Sequence, residues 1–317
     1  MPSFSCTVEG SVPPGLRLDR YIADYLKILT RSQIKARNLE ARLNGRAVKV
    51  SRVLKGGENL ELSWTEPECP YLIPQNIALD IIYEDKRVIV VNKAQGMVVH
   101  PGAGNRQGTL ANALFYRRLE KEGKVNDREG TDLSLEDSPV QGQRPGIVHR
   151  LDKDTSGVII AAWDDEALAF LSDQFKARRV RKTYAALVQG CPKDREGCIE
   201  KRILRSHRDR KIFTVSDTEG RRSLSYYKVI RRYENYSLLL IRPRTGRTHQ
   251  IRVHLKHLGN PILGDPIYGR TDPRFPKATL MLHAKNLSLV LPDRGSPETF
   301  KTPLPFRFKD IIISLNN

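Results

Sequence analysis

The highest density of chemically useful side chains lies between residues 145 and 160, in the stretch PGIVHRLDKDTSGVII. Arg150, Asp152 and Asp154 stand there directly before the apolar run VIIAA. A charge beside an apolar wall costs free energy unless it is paired or put to use. A guanidinium nearby keeps a carboxylate ionised, and an ionised carboxylate stripped of water is a nucleophile or a base. The stretch therefore predicts a reactive site at the edge of a buried strand.

Two other kinds of chemistry fit the loop DKDTSG, residues 152–157, less well. An EF-hand calcium loop needs a bidentate Glu at its twelfth position, and here that position is Trp163. A phosphoryl-transfer aspartate of the D-x-D-x-T kind follows an apolar strand, whereas HRL precedes Asp152 and Ser156 replaces the Thr. A salt-bridged loop without chemistry is the remaining alternative. The sequence outside the loop decides between that alternative and an activated Asp152.

Several elements are expected to position this chemistry. The run GVIIAAW predicts a buried strand after the loop, DDEALAFLSDQFKARR predicts an amphipathic helix, and KTYAALV alternates like a strand. A later helix, HQIRVHLKHL, is expected to be capped by Thr248 and to end at Gly259. Ile251 and Leu255 belong to its apolar stripe. Arg252 flanks that stripe, so its side chain can point inward toward the sheet.

The rest of the chain predicts a large α+β domain over residues 77–317, preceded by a Pro-rich linker over 66–76. LDIIYEDKRVIVVNK indicates a hairpin, and Thr109 is expected to cap the helix TLANALFYRRLEK. Because short turns join many of the strands, the central sheet is expected to be mixed and largely antiparallel, with helices on its faces.

Residues 15–65 predict a smaller, separate α/β unit. The segment reads as helix, helix and strands, and its second helix, SQIKARNLEARL, is basic. This pattern resembles the S-four RNA-binding domain, named after a ribosomal protein. The resemblance implies that Arg31, Lys35 and Arg37 contact RNA. A basic, solvated helix without a partner is the alternative.

Charge is the strongest global signal. The 317 residues contain 54 Lys and Arg against 36 Asp and Glu, which gives a net charge of +18 and a pI of about 9.9. This excess favours a polyanionic partner, with nucleic acid as the first choice. The N-terminal run MPSFSCTVEG is not a signal peptide, and the apolar runs are too short to span a membrane. With cysteines interpreted as reduced thiols, the sequence predicts a cytoplasmic protein.

Four sequence blocks resemble, in order, those of the RluA/RluD family of pseudouridine synthases. They are MVVHPGAGNRQGTLANAL (97–114), HRLDKDTSG (149–157), RKTYAALV (181–188) and RTGRTHQIRVHLKHLGNPILGDPIYG (244–269). The HPGAGN run and the S-four-like segment are similar to the RluD-like branch, which acts on large-subunit ribosomal RNA. One position departs from the family, which commonly has Lys-Pro-x-Gly where this chain has KAQG at 93–96. The departure puts the rigidity of that turn in doubt and removes no reacting group.

The resemblance implies a pseudouridine synthase that isomerises uridine to pseudouridine in RNA. It assigns Asp152 as the nucleophile, Tyr184 as the wall that stacks on uracil, and Arg252 as the cation that keeps Asp152 ionised. Attack at ribose C1′ and attack at base C6 both stay open. Because the reaction is an isomerisation, no redox cofactor or energy source is expected. RNA contact or base extrusion is predicted for a further set: Arg150, His149, Lys182 and Arg247.

No metal site is predicted. His249, His254 and His257 lack the short His-x-x-x-His spacing of a zinc site, and Cys191 and Cys198 match no common zinc spacing. The histidines are interpreted as RNA-facing or core residues.

Two other functions remain open alternatives. The same enzyme could act on transfer RNA, or the chain could be a non-catalytic RNA-binding protein that assists ribosome assembly. Asp152, Tyr184 and Arg252 together argue against the second alternative. A monomer without a membrane partner or nucleotide cofactor is the expected state, with ribosomal RNA or a pre-ribosomal particle as partner.

Overall fold

A computed structural model describes residues 2–29, 31–65, 72–102, 104–125, 146–206, 209 and 212–316, without the side chains of Ser32, Lys35 and Ala36. The described residues form two compact units, 2–65 and 72–316. The first part of the predicted linker, residues 66–71, lies outside the described residues.

The smaller unit combines an antiparallel sheet and short helices around one apolar core. Its described elements are β1 (Ser3–Thr7), α1 (Leu18–Arg20) continued by a π-helical turn (Tyr21–Tyr25), α2 (Arg31–Ala36), β2 (Glu40–Leu43), β3 (Arg46–Val48) and β4 (Asn59–Ser63). The sheet order is β1, β4, β2, β3. The side chains of Leu18, Ile22 and Leu60 are buried in its core.

The second helix of this unit is shorter than the sequence pattern predicts. SQIKARNLEARL indicates a helix through residue 43, but α2 ends at Ala36 and EARL forms β2. Asn38 adopts a left-handed conformation with φ of 45°, which ends the helix. Strand β1 pairs with β4 and lies before residue 15, so the sheet begins earlier in the chain than the predicted boundary.

The larger unit is built on one mixed, mostly antiparallel sheet, which confirms the predicted α+β fold class. Its described strands are β5 (Ile81–Glu84), β6 (Val88–Lys93), β7 (Ser156–Ala162), β8 (Arg181–Gln189), β9 (Glu196–Arg205), β10 (Phe213–Ser216), β11 (Arg221–Arg232), β12 (Tyr236–Pro243), β13 (Leu282–Val290) and β14 (Pro297–Lys301). The order is β10, β9, β11, β12, β8, β13, β7, β6, β5, and β14 pairs with β13. The β5–β6 hairpin is the one predicted from the sequence.

The helices of the larger unit begin at two kinds of N-terminus. Thr109 caps its helix through a reciprocal capping box with Asn112, as predicted. Thr248 does not cap the later helix: the residue before that helix is His249, which is left-handed with φ of 54° and provides no side-chain cap. The described helices of this unit are α3 (Leu110–Lys121), α4 (Asp165–Lys176), α5 (Gln250–His257) and α6 (Phe306–Ser314).

The two halves of the large sheet meet at a short parallel junction between β7 and β13. Ser156 pairs with His283, and Gly157 pairs with Ala284. Gly157 has φ of 116°, and a Cβ atom there would lie 2.2 Å from the Ala284 carbonyl oxygen, so only glycine fits. The Ser156 hydroxyl also lies 2.8 Å from His283 Nδ1. The junction therefore fixes the backbone that directly follows Asp152.

Apolar side chains cover both halves of this sheet. One cluster joins β8 and β12 to α5 and α6, and it buries Ile251 and Leu255 of the predicted α5 stripe. Two further clusters pack around β6 and β7. Among the described residues, no helix has the length and apolar character needed to cross a membrane.

Candidate active site

A cavity of about 470 Å³ lies beside the junction of β7 and β13. Asp152, Tyr184 and Arg252, which come from three separate sequence blocks, all line it. Asp152 lies in the loop before β7, Tyr184 on β8 and Arg252 on α5. The lining also contains four of the predicted RNA contacts: Arg150, which is exposed, and the half-buried His149, Lys182 and Arg247.

Arg252 is a buried guanidinium shared between two carboxylates. Its Nε and Nη2 donate to Oδ2 and Oδ1 of Asp265, each over 2.7 Å, in bidentate geometry. Its Nη1 faces Asp152 Oδ2 at 3.5 Å. The Asp265 side chain is 0% exposed, whereas that of Asp152 is 21% exposed. Asp265 therefore fixes Arg252, which presents its remaining donor to Asp152.

Both members of the inner ion pair are held in their charged forms. Burial opposes ionisation of Asp265, but hydrogen bonds from Arg252 and from the backbone N–H groups of Ile267 and Tyr268 outweigh it, so the pKa of Asp265 lies below its usual value. Burial likewise opposes the charge on Arg252, but Asp265 and then Asp152 raise its pKa. Asp152 thus faces a permanent positive charge.

Tyr184 supplies a flat, neutral wall of the cavity. Burial raises the pKa of its phenol, and the nearby negative charge of Asp152 raises that pKa further. The ring therefore stays uncharged at neutral pH beside the carboxylate. An uncharged aromatic face in this position can stack on a planar base.

His249 also faces Asp152, with its Nε2 at 3.9 Å from Asp152 Oδ2. On its other side, His249 Nδ1 lies 2.8 Å from the Tyr268 hydroxyl, which already accepts the backbone N–H of Phe213. If Tyr268 is the donor in this pair, the His249 proton is on Nε2, the nitrogen that faces the carboxylate. Burial lowers the pKa of His249, although Asp152 acts in the opposite direction. The imidazole thus lies near Asp152, at a distance longer than a hydrogen bond.

Lys93 is a buried residue that supports the site and that the sequence reasoning missed. Its side chain is fully buried at the end of β6, and its Nζ donates to the carbonyl oxygens of Ala94, Met97 and Lys153 at 2.9, 2.7 and 3.1 Å. Burial lowers the pKa of Lys93 to about 8, against the opposing effect of nearby carboxylates. Because Lys153 directly follows Asp152, Lys93 ties the KAQG turn to the loop that carries the carboxylate.

His149 is committed to the protein interior. Its Nε2 accepts the backbone N–H of Ile160 at 3.1 Å, and its ring stacks on Phe175 with centroids 4.6 Å apart. Burial, and then the charge of Lys182, lower the pKa of His149 to about 3. The side chain therefore anchors the loop to β7 as a neutral acceptor, and this geometry favours a structural role over the predicted contact with RNA.

This histidine predicts a loss of stability in mild acid. The unfolded chain takes up a proton on His149 near pH 6.5, whereas the folded protein does not until about pH 3, so the free energy of unfolding falls as the pH drops below 6.5. Between pH 7 and pH 5 the contribution of His149 is about 2 kcal/mol. Urea unfolding of His149→Gln at both pH values is expected to show that much less pH dependence. The exposed His100, changed to Gln, is the matched control and should leave the pH dependence intact; equal slopes for both variants would contradict the assignment.

The three predicted RNA contacts of the S-four-like segment lie in the smaller unit. Arg31 begins α2, and its Nη2 pairs with Asp19 Oδ2 at 3.3 Å. Arg37 directly follows α2, and the side chain of Lys35 lies outside the described residues. None of the three is among the described residues that line the cavity.

The histidines around α5 lie in separate environments. His249 faces Asp152, His254 is buried with its Nε2 at 2.8 Å from the Ser223 hydroxyl, and His257 is the last residue of α5. In the part of the chain that the structure describes, no group of three or more His, Cys, Asp or Glu side chains could hold a metal ion.

The chain is similar to known proteins over most of its length. A family model described as RNA pseudouridylate synthase matches residues 87–257, a range that includes Asp152, Tyr184 and Arg252. The ribosomal large subunit pseudouridine synthase D of Borreliella burgdorferi is 43% identical over 308 residues, which cover 95% of this chain and 89% of that protein. An uncharacterized RNA pseudouridine synthase of Chlorobaculum parvum is 41% identical over 310 residues, covering 92% of this chain and 91% of that protein.

A solved structure extends the similarity to the fold. Human RNA pseudouridylate synthase domain containing 1 superposes with a TM-score of 0.55 at 25% sequence identity. The match covers 76% of this chain and 96% of the human chain.

Proposed function

Because the chain belongs to the RNA pseudouridylate synthase family and is a pseudouridine synthase, we propose that it isomerises uridines of large-subunit ribosomal RNA with Asp152 as the nucleophile. The observation that carries the role of Asp152 is its position: it is the partly exposed carboxylate in the cavity, 3.5 Å from the buried Arg252 guanidinium. The choice of RNA rests on the name of the relative from Borreliella burgdorferi and on the net charge of +18.

The reaction breaks the bond between ribose C1′ and base N1 and joins C1′ to base C5. C5 loses a proton and N1 gains one, so the product has the composition of the substrate. Asp152 attacks either ribose C1′ or base C6, and it is regenerated when the new bond forms. Arg252 directs a donor at the attacking oxygen, Asp152 Oδ2, and orients it, and His249 Nε2 lies 3.9 Å from the same oxygen. Tyr184 holds the plane of the released uracil while it turns.

The cavity suits a single extruded nucleotide. Its volume of about 470 Å³ is in the range of small-molecule pockets and is too small for a duplex. A uridine in a stem must therefore be flipped out, at a cost of a few kcal/mol. Arg150 is exposed at this cavity, and its guanidinium is the group that we assign to the space left by the base.

The smaller unit is assigned to docking. In this proposal the enzyme has two domains joined by a linker. They are the S-four-like segment over residues 15–65, the linker over 66–76 and the catalytic domain over 77–317. Arg31, Lys35 and Arg37 would contact phosphates, and Lys182 and Arg247 would do so beside the cavity. The proposal implies that the enzyme acts in the cytoplasm, where ribosomes are assembled. The prediction for its oligomeric state is a monomer.

Mapping pseudouridine in cellular RNA with and without this protein tests the substrate. The expected result is the loss of specific pseudouridines from large-subunit ribosomal RNA. Loss of pseudouridines from transfer RNA instead would show that transfer RNA is the substrate. An unchanged map, together with no conversion of ribosomal RNA by purified protein, would support a non-catalytic assembly factor.

Deletion of residues 1–66 tests the docking role. The shortened enzyme is expected to bind ribosomal RNA more weakly and with a flatter dependence on salt, because phosphate contacts are lost. Slow conversion of a short RNA that contains the target uridine is expected to remain. Binding isotherms at several salt concentrations and single-turnover conversion measure the two effects, and complete loss of conversion on the short RNA would show that the smaller unit does more than dock.

A further inference from the structure

A second concave surface lies on the large sheet, with a volume of about 1000 Å³. We call it the back groove, and we define it by the six cationic residues that line it: Arg178, Arg181, Lys182, Lys228, Arg242 and Arg244. The mechanism derived above uses none of them except Lys182. The surface therefore requires an explanation of its own.

Two residues of the back groove, Tyr226 and Arg242, lie on the face of the sheet opposite the Tyr184 side chain. Side chains directly opposite each other in antiparallel strands share a face, and successive residues alternate between faces. Tyr184 is opposite Ile241, which is opposite Tyr227, so these three share one face. The next pair along, Arg242 and Tyr226, therefore lies on the other face.

The charge of the back groove matches a polyanion. Its lining contains one carboxylate, Glu196, and this residue pairs with Lys228 at 3.4 Å. Within the described part of the chain, the other five cations form no ion pair. Four of them, all except Lys182, are exposed. A surface with this excess of unpaired cations attracts phosphates.

Tyr226 adds a stacking platform to this charge. Its side chain is 46% exposed, and Arg242 stands directly opposite it on β12. Every nucleobase can stack on such a ring, and Arg contributes a further planar cation. Bases inside a duplex are stacked on one another and cannot reach the ring. The combination therefore fits a single strand.

The back groove is continuous with the active-site cavity. Lys182, Pro243 and Arg244 line both, and so do Arg178 and Val180. These residues lie at or near the start of β8 and the end of β12. An RNA strand that leaves the cavity can pass over these strand ends to the other face of the sheet. One polyanion can thus occupy both sites.

We propose that the back groove binds the single-stranded RNA segment that flanks the target uridine, with a base stacked on Tyr226 and phosphates on the surrounding cations. The inference rests on the proposed function, because it takes RNA to be the substrate. It adds to that function a preference for targets with an unpaired flank.

The test uses full-length protein and the double variant Tyr226→Ala with Arg242→Gln. The probe is a fluorescein-labelled oligouridylate of about 20 nucleotides, and an RNA duplex of similar length serves for comparison. The variant is expected to bind the oligouridylate about tenfold more weakly, with a salt slope smaller by about 0.7, and to bind the duplex unchanged. The matched control is Phe306→Ala with Lys309→Gln, which removes another exposed aromatic ring and its neighbouring cation from α6. This control is expected to bind both RNAs like the unaltered protein.

Photocrosslinking gives a second measurement that does not depend on any variant. An oligouridylate containing 4-thiouridine is expected to attach to the peptide that contains Tyr226. Adducts elsewhere on the chain without one in this peptide would overturn the proposal. Equal weakening of single-stranded and duplex binding in the double variant would also overturn the proposal, because the groove would then attract any RNA through its charge alone.

Conversion assays separate this inference from the function on which it rests. With ribosomal RNA as substrate, the double variant is expected to raise KM and to keep kcat, since neither residue lies in the active-site cavity. If the unaltered protein converts uridine and the double variant shows an unchanged KM and unchanged oligouridylate binding, the groove proposal alone fails. If the unaltered protein converts no RNA, the proposed function fails, and the crosslink still tests the groove.

Discussion

Asparagine in place of Asp152 is expected to lower kcat/KM for uridine conversion by at least about 10⁴-fold while RNA binding is retained. The amide has almost the same shape as the carboxylate and can still accept a hydrogen bond from Arg252 Nη1, but it lacks the charge that attacks carbon. Chemical probing of treated RNA measures conversion, and fluorescence anisotropy measures binding.

Asp154→Asn is the matched control for this variant. Asp154 belongs to the same loop and is similarly half-buried, but it does not line the cavity. Its amide variant is expected to keep conversion within about threefold, because Asp154 does not line the cavity that holds the reacting groups. Conversion by Asp152→Asn within tenfold of the unaltered enzyme would remove Asp152 from the role of nucleophile.

The variant Arg252→Met is expected to lose both stability and activity, for two different reasons. The substitution leaves Asp265 buried without its bidentate partner, which costs about 3–5 kcal/mol of the free energy of unfolding. It also removes the cation that faces Asp152 at 3.5 Å, so conversion should fall by several orders of magnitude. Urea unfolding and single-turnover conversion measure the two losses separately.

A second substitution separates those two effects. Asp265→Asn, added to Arg252→Met, removes the unpaired buried charge while its amide oxygen can still accept the backbone N–H groups of Ile267 and Tyr268, so it is expected to recover most of the lost stability. Activity should not recover, because Asp152 still lacks its cation. If the double variant regained activity together with stability, Arg252 would be a structural residue and the catalytic assignment would be wrong.

The sequence predicted the members of the site better than the contacts that hold them. Asp152, Tyr184 and Arg252 come from three separate blocks, and the structure brings all three to one cavity. Arg252 was assigned through the family resemblance, and the helical spacing of Ile251 and Leu255 supported the assignment, because an apolar stripe indicates which side of a helix faces the sheet. Their chemical roles remain part of the proposal.

The supporting residues could not be predicted because their partners are distant in the chain. Asp265 lies in the quoted run GDPIYG, but nothing in its neighbourhood indicates a bidentate contact with Arg252. Lys93 could have been found from the sequence. It is a lysine at the end of the apolar strand VIVVNK, and a charge beside buried apolar residues is the same feature that singled out Asp152.

Local backbone conformation accounts for the misplaced helix boundaries. The left-handed residues Asn38 and His249 each change the chain direction at a point where the side-chain pattern continues. The helix predicted from SQIKARNLEARL was therefore too long, and the cap predicted at Thr248 is absent from the structure. Thr109 was predicted correctly because its capping box is a local interaction with Asn112.

The position of β13 in the sheet also determines when a growing chain can become reactive. Asp152 and Arg252 are 100 residues apart, and Ser156 and His283 are 127 apart, so closing these loops is slow and comes late. Because β13 lies between β7 and β8, the strand that joins the loop of Asp152 to Tyr184 comes from a distant part of the sequence. Assembly of the cavity therefore depends on β13, which begins 130 residues after Asp152 in the chain (282 against 152).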